Sequence, residues 1–430
     1  MEIQRPIYLN RLKKKKDNGL VKVVTGLRRV GKTYLLKTLY RKWLLSQGIP
    51  EENILYLALD KNENMKLRNP IELNQYLRGL IKDSDRRYYI IIDEIQYSVS
   101  VPNPYLPAEA QNKDNEITFY DTVLGLMDAC DLYITGSNSE MLSSDILTNF
   151  RGRGDEVHVY PLSYREYVSC IGEDSDEAWT DYLWYGGMPL VQFQTDDSEK
   201  AHYLQDLFAS TYLKDIIERY KVKNADDLGR LMDLLASTTG SMVNPTNISN
   251  QFPDHSVSRN TIAEYIRDIQ NSFLIDEAKR FDIRGKEYIQ GQQKYYFTDT
   301  GLRNARLNFR QFDLPHLLET VVYNELKNRG FCVDVGRVQV RVKNAFGNYQ
   351  TAYLESDFVV NNADHRAYIQ VTEGLDDPGK KEQEMKSLLH IRDGFPKIIL
   401  VNQKVPAYYS EDGIHILSVR DFLLAEKWDF

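Results

Sequence analysis

Gly26-Leu27-Arg28-Arg29-Val30-Gly31-Lys32-Thr33 fits the spacing G-x-x-x-x-G-K-[ST], and Tyr34 opens the helical pattern that follows. Glycines at both ends let the backbone bend so that successive N–H groups point inward, toward an anion. The helix start adds unpaired N–H donors and the positive end of a dipole. Lys32 supplies an ammonium for the outer phosphates of a polyphosphate, and the Thr33 hydroxyl is a ligand for Mg2+. Further along, the apolar run Tyr88-Tyr89-Ile90-Ile91-Ile92 leads straight into Asp93-Glu94. A first carboxylate there can hold the Mg2+ shell, often through water, and the second can polarise an attacking water. The chemistry on offer is the binding and hydrolysis of a nucleoside triphosphate.

These groups need a scaffold that brings them to one place. Val21-Lys22-Val23-Val24-Thr25 reads as a β-branched strand before the loop, and Tyr34 to Leu45 as a helix with Leu35, Leu36, Leu39 and Leu44 on its apolar side. Asn53 to Leu59 is a second strand. Pro70 to Ile81 is a helix with Leu73, Leu77 and Leu80 at helical spacing. The unbroken apolar run before Asp93 suits a strand buried on both faces of a parallel sheet. Residues 101–116 are polar and proline-containing and read as a long loop. Phe119 to Ala129 is a helix, Asp131 to Asn138 a strand ending in small polar residues, and Val157 to Tyr160 a fifth strand. Alternating strands and helices predict an α/β domain over residues 1–160, whose ligands bind beyond the carboxyl ends of the strands.

Composition fits an intracellular chain of several domains. Of 430 residues, 42% are hydrophobic and 27% charged, both ordinary for a globular protein. No apolar stretch approaches the ~18 residues needed to span a bilayer. Lys13 to Lys16 are followed by Asp17-Asn18-Gly19 rather than an apolar segment, so they do not start a signal peptide. Cys130, Cys170 and Cys332 form no C-x-x-C, which suits the cytoplasm and argues against a disulfide framework or a structural zinc. Charge is uneven: residues 1–50 carry 13 Lys and Arg against 2 acids, a local +11, so the net −8 leaves −19 on the rest. That excludes a chain that coats nucleic acid by charge alone and leaves room for a localised binding face.

The set Gly26–Thr33, Asp93-Glu94, Thr135-Gly136-Ser137 and Arg151-Gly152-Arg153, in this order, resembles AAA-type P-loop ATPases. The resemblance implies ATP and Mg2+ as ligands, with Gly26, Leu27, Arg28, Arg29, Val30, Gly31, Lys32, Thr33 and Tyr34 around the nucleotide and Thr33 and Asp93 at the metal. It gives Lys32 and Glu94 catalytic roles. It places a polar sensor of the γ-phosphate at Ser137 or Asn138, with Thr135 a third candidate; a neutral hydrogen-bond partner near the attacking water is the physical need. Arg151 or Arg153, with Arg153 favoured, resembles a finger that neutralises charge in a neighbouring subunit, which requires a homo-oligomer. Pro161-Leu162-Ser163-Tyr164-Arg165-Glu166-Tyr167 and Tyr185-Gly186-Gly187-Met188-Pro189 are similar to the helical lid (residues 161–223) of a bacterial and archaeal AAA branch. Members of that branch carry a C-terminal domain of unknown function, which the rest of the chain also resembles.

Residues 224–311 read as a winged helix, with helices over Leu228–Thr238, Asn247–Phe252 and Ser258–Ser272. Ser256 and Ser258 are caps for the third helix, and a hairpin follows around Asp282 to Lys286. Arg259, Asn260 and Arg267 on the third helix and Arg284 and Lys286 in the wing would face DNA, although Glu264 and Asp268 share that helix. Residues 312–430 look like a restriction-endonuclease-type fold: Glu319 and Asp357 take the places of its acids, but Gln370 and Thr372 stand where an acid and a lysine belong. A metal-assisted hydrolysis needs those charges, so this domain is expected to be catalytically inactive. The expected function is an ATPase coupled to a C-terminal module that binds duplex DNA or a protein. The alternative is an ATP-bound DNA-binding regulator with little or no turnover.

Overall fold

The computed structural model describes residues 3–81, 86–107, 109, 112, 115–136, 150, 152–252, 257–343 and 348–427. Ser137, Asn138 and Arg151 of the expected site, and the capping residue Ser256, lie outside them. The chain forms two compact units, residues 1–159 with 271–273, and residues 160–270 with 274–430.

The first unit is built on five parallel strands in the order Ile54–Ala58, Tyr88–Asp93, Cys130–Thr135, Val21–Thr25 and Gly154–His158. Val21–Thr25, an interior strand fourth in that order, is fully buried, as a β-branched run covered on both faces should be. One face packs Val21, Val23, Ile90, Ile92, Leu132 and Ile134 against Leu73 and Leu77 of the Pro70–Leu80 helix. On the same strand Lys22 pairs with Asp131, both almost wholly out of solvent. Register puts Ala58 beside Asp93 and Val24 beside Thr135, so the Gly26 loop, Asp93 and Thr135 emerge at the same sheet end.

Several elements differ from their expected form, among them the fifth strand, which runs Gly154–His158 rather than Val157–Tyr160. The helix after the loop is a helical turn over Lys32–Tyr34, a π-wide stretch over Leu35–Tyr40, and a further helix over Arg41–Ser46. The expected helix 119–129 stops at Leu124, after a capping box between Thr118 and Asp121; Gly125 follows, and the chain turns into the next strand.

In the second unit, Tyr164, Tyr167, Trp179 and Tyr182 form a ring cluster in the core. Helices Ala225–Ser237, Pro245–Ser249 and Arg259–Asn271 precede the hairpin of Ile275–Asp282 and Glu287–Phe297. Ser258 accepts a hydrogen bond from the Thr261 N–H at 3.1 Å and caps the third helix. This hairpin belongs to a nine-stranded mixed sheet, because Ile275–Asp282 also pairs in parallel with Cys332–Lys343. Residues 224–311 and 312–430 therefore share one sheet. The Leu314–Arg329 helix packs on one face and Pro378–Leu389 on the other.

A segment without a sequence motif of its own joins the early helices to this sheet. Helix Asp176–Tyr185 ends with carbonyls that lack intrahelical partners. Thr300 donates to the Tyr182 carbonyl at 3.2 Å, and Asn304 Nδ2 donates to Leu183 and Trp184 at 3.1 and 2.9 Å. Asp299 accepts from the Gly187 and Leu302 N–H groups at 2.7 and 2.9 Å. The backbones approach so closely that a Cβ on Gly301 would lie 2.0 Å from the Tyr185 carbonyl oxygen.

Candidate nucleotide-binding site

The loop from Gly26 to Gly31 depends on its glycines. Gly26 has φ +127° and sits where a Cβ would come within 2.2 Å of the Val159 carbonyl oxygen; Gly31 has φ +100°. Arg29 adopts φ 63° and is exposed, whereas Leu27 and Val30 are buried and anchor the loop to the sheet. Arg28 and Tyr34, half-buried, flank it. The Lys32 ammonium is buried at the loop, donating to the carbonyls of Gly26 and Leu27 at 2.8 and 3.0 Å. From the N-terminal segment the buried Arg5 donates to the Val30 carbonyl at 3.0 Å and stacks on Tyr8, bracing the loop from outside.

Asp93 is the centre of the acidic side. Its carboxylate accepts from Thr33 Oγ1 at 2.8 Å, from the Tyr56 hydroxyl at 2.8 Å, and from Thr135 Oγ1. Thr135 in turn accepts the Glu94 N–H at 3.0 Å. Glu94 takes a left-handed backbone conformation, φ 58°, which turns the chain off the strand line, and its carboxylate accepts from the Gln96 amide. Burial, then the charge of Asp93, push the Tyr56 phenol far above its ordinary pKa, so it remains a donor at any physiological pH.

The oxygens of Thr33 and Asp93 fit a hard cation. Thr33 Oγ1 donates to the Asp93 carboxylate at 2.8 Å, so a cation taken by the hydroxyl would have that carboxylate beside it to accept from its water shell. Among the described residues no group of three His, Cys, Asp or Glu is arranged to hold a metal. Water and phosphate oxygens would complete the shell, the usual manner for Mg2+.

Arg153 stands elsewhere. It is exposed, and its carbonyl accepts the Val21 N–H at 2.8 Å, at the start of the Val21–Thr25 strand. The loop begins after the other end of that strand, so about 13 Å of sheet separates them.

Comparison with known proteins follows the same lines. Residues 18–168 match the family model of an AAA domain, and residues 176–313 match a domain of unknown function (DUF8612). The chain is 34% identical to an uncharacterized protein of Haemophilus influenzae across 98% of both. This protein belongs to that AAA family. A second family relative, an uncharacterized protein of Methanocaldococcus jannaschii, is 25% identical over 93% of this chain and 85% of its own. Among solved structures, the Aeropyrum pernix ORC1 protein in complex with DNA aligns with 71% of this chain and 92% of its own, at 13% identity and a TM-score of 0.29. Among the described residues of this AAA protein, no helix is long and apolar enough to cross a membrane.

The second unit of the AAA protein gathers its own charged groups. Lys294, with a side chain only 4% exposed, reaches Glu319 at 3.1 Å and Glu355 at 2.8 Å. Tyr296 donates to Glu319 at 3.1 Å. Burial opposes the Lys294 charge, but the carboxylates of Glu319, Asp357 and Glu355 outweigh it and hold the ammonium above its ordinary pKa. Asp357 accepts from the Val371 N–H at 2.8 Å; burial, and then the charge of Glu319, raise its carboxyl well above the usual range. Gln370 spans from the Asp357 N–H to Glu384, at 3.3 and 3.1 Å, and Thr372 lies against the Gly374 carbonyl. One lysine ammonium is thus shared between two carboxylates, while Gln370 and Thr372 bring no charge to the cluster.

Reading the sequence missed Arg5, Tyr56, Lys294, Glu384 and the Asp299–Asn304 segment. Only the last left a trace, an Asp-Thr-Gly start to a helix, which as a cap signal says nothing about what the cap holds.

Proposed function

We propose that this chain binds ATP with Mg2+ and hydrolyses it, and that turnover changes how the C-terminal unit holds duplex DNA or a protein partner. The observation that carries the reading is the convergence of Lys32, Thr33, Asp93 and Glu94 at one end of a parallel sheet. The loop amides and Lys32 bind the phosphates, the ammonium exchanging the Gly26 and Leu27 carbonyls for phosphate oxygens. A bound Mg2+, held by Thr33 and through water by Asp93, would neutralise charge on those oxygens. Glu94 orients a water for in-line attack on the γ-phosphorus and takes its proton; the bond to the ADP oxygen breaks, leaving ADP and inorganic phosphate. Thr135 holds the Asp93 carboxylate and the Glu94 N–H together, which fixes the two acids relative to each other. In this reading Ser137 supplies the γ-phosphate sensor, and Arg153 serves the site of a neighbouring copy.

Chain continuity supports the coupling. Gly26 lies against the Val159 carbonyl, and the Val159 N–H donates to Thr25 at 3.0 Å. The second unit begins one residue later. A loop that closes on phosphates therefore pulls on the chain at that junction. The second unit is read as a binding module rather than a nuclease, because Gln370 and Thr372 stand where hydrolysis would need an acid and a lysine.

A second reading, an ATP-bound DNA-binding regulator with negligible turnover, is favoured by Gln96, whose amide engages the Glu94 carboxylate. Steady-state ATP hydrolysis by wild type, Lys32→Ala and Glu94→Gln, each with and without duplex DNA, separates the two. Turnover lost in both variants supports the ATPase, and stimulation by DNA supports its coupling. Nucleotide binding without wild-type turnover supports the regulator and removes the catalytic role of Glu94.

A further inference from the structure

Cys332–Lys343 and Tyr349–Asn362 are paired along nearly their whole length. Their outer neighbours stop early: Ile275–Asp282 pairs with the first strand only as far as Arg337, and His365–Thr372 with the second only from Phe358. Among the described residues, 338–343 and 349–354 thus pair only with each other, as a two-stranded ribbon running past the sheet. Its two faces differ sharply. Val338 and Val340 are buried, and Val342, Ala352 and Leu354 pack partly against the same cluster with Met385 and Leu388. The opposite face presents Gln339, Arg341 and Lys343, directly across from Tyr353, Thr351 and Tyr349.

None of those six side chains is acidic and none is aliphatic, in a protein whose net charge is −8. Every one belongs to a type that donates hydrogen bonds to phosphate. Arg337, ion-paired to Asp282, lies 4.3 Å over the Tyr353 ring, and the Lys343 ammonium lies 5.4 Å from the Tyr349 ring centroid. Arg284 joins from the neighbouring turn, donating to Gln339 at 3.3 Å. Tyr349 is 70% and Tyr353 49% exposed.

A protein partner would want an apolar centre depleted of lysine, which this face lacks; protein–DNA interfaces are polar and positively charged. Unpaired bases would want open aromatic faces for stacking, but here the rings are used to seat cations. The helix Arg259–Asn271, by contrast, exposes Glu264 between Arg259 and Arg267. We propose that the polar face of this ribbon is a docking surface for duplex DNA, contacting its phosphates without reading sequence. The proposal rests on the DNA branch of the functional reading above, and deepens it by placing the contact on the ribbon rather than on the third helix.

The test is fluorescence anisotropy of the full chain with labelled duplexes of unrelated sequence, across a series of salt concentrations. Arg341→Glu/Lys343→Glu should weaken binding by at least tenfold near 0.1 M salt and flatten the slope of log affinity against log salt by about 2, since each phosphate contact contributes about 0.9. The neutral Arg341→Gln/Lys343→Gln pair should show the same slope change with a smaller loss, and an unchanged melting temperature verifies folding. Arg259→Glu/Arg267→Glu should leave the slope unaltered. Wild-type affinity and slope in both ribbon variants, with a loss in the helix variant, would overturn the proposal while leaving a DNA-binding module intact. Tighter binding of the same strand unpaired would overturn the choice of duplex. No binding of any DNA by wild type at 0.1 M salt would overturn the proposal together with the DNA reading, leaving the protein-partner reading.

Discussion

Asp93 carries more of the candidate site than its place in a motif suggests, because three hydroxyls donate to it. Two of them, Thr33 and Thr135, stand at loop or strand ends and belong to patterns visible in the sequence. The third, Tyr56, lies in the neighbouring strand with no local pattern around it; only the register that sets Ala58 beside Asp93 brings it there. A hydrogen bond to a charged group contributes about 1.5–3 kcal/mol, and one that fixes a carboxylate for a metal acts on geometry more than on stability. Tyr56→Phe should leave nucleotide binding without Mg2+ unchanged and raise the Mg2+ concentration for half-maximal turnover several-fold, with no new pH dependence between 6 and 9. A titration of turnover against Mg2+ checks this, and an unchanged Mg2+ requirement would mean that Tyr56 only packs. Arg5 follows the same logic: it braces the loop at Val30 from 25 residues away, and the glycine spacing that makes the loop legible says nothing about what supports it.

Elements tied together across long stretches of chain were the least legible. The Asp299–Asn304 segment holds residues more than a hundred positions earlier, and its importance lies in pairing that no window of sequence contains. Burial pushes the Asp299 carboxyl up to about 6, above its ordinary 3.8, although backbone N–H bonds from Leu302, Gly187 and Gly301 pull the other way. The folded state therefore binds more protons than the unfolded state between about pH 4 and 6. Its stabilising contribution is complete below about 4 and is lost as pH rises through 6, by on the order of 3 kcal/mol. Glu325, Glu384 and Asp334 are raised mainly by burial and act in the same direction. Asp299→Asn should thus reduce, without abolishing, the fall in urea-unfolding stability between pH 4.5 and 7. An identical pH slope in the variant would mean that this carboxyl titrates normally. The same junction predicts opposite outcomes for two glycines. Gly301→Ala drives a Cβ into the Tyr185 carbonyl and should cost about 3 kcal/mol or more. Gly229→Ala, in the Ala225–Ser237 helix, meets only the Arg306 guanidinium at 3.5 Å and should be neutral or gain up to about 1 kcal/mol. Thermal melts of both decide it.

At the scale of the whole molecule, contiguous chemistry was readable and shared architecture was not. The parallel sheet and its loop follow from runs of five or six residues, each with its own apolar or glycine signature. The joining of the 275–297 hairpin to the later strands in one nine-stranded sheet follows from pairings such as Arg280 with Val335, which hydrophobic alternation leaves open. One consequence reaches beyond the single chain. Arg153 sits at the start of its strand, about 13 Å of sheet away from the loop in the same unit, farther than an arginine side chain reaches. If it neutralises charge on a transferring phosphoryl group, the group must belong to another copy. Arg153→Ala should then retain nucleotide binding while losing turnover, with a deficit that concentration does not repair. Mixing it with Lys32→Ala, itself inactive, should restore activity, because some interfaces then pair an intact loop with an intact Arg153. For random pairing in a dimer about a quarter of sites are so composed, and their turnover sets the expected recovery. Turnover by Arg153→Ala alone at the wild-type rate would remove the finger. A mixture as inactive as its parts, from subunits shown to exchange, would place both functions in the same copy and contradict the distance that separates them.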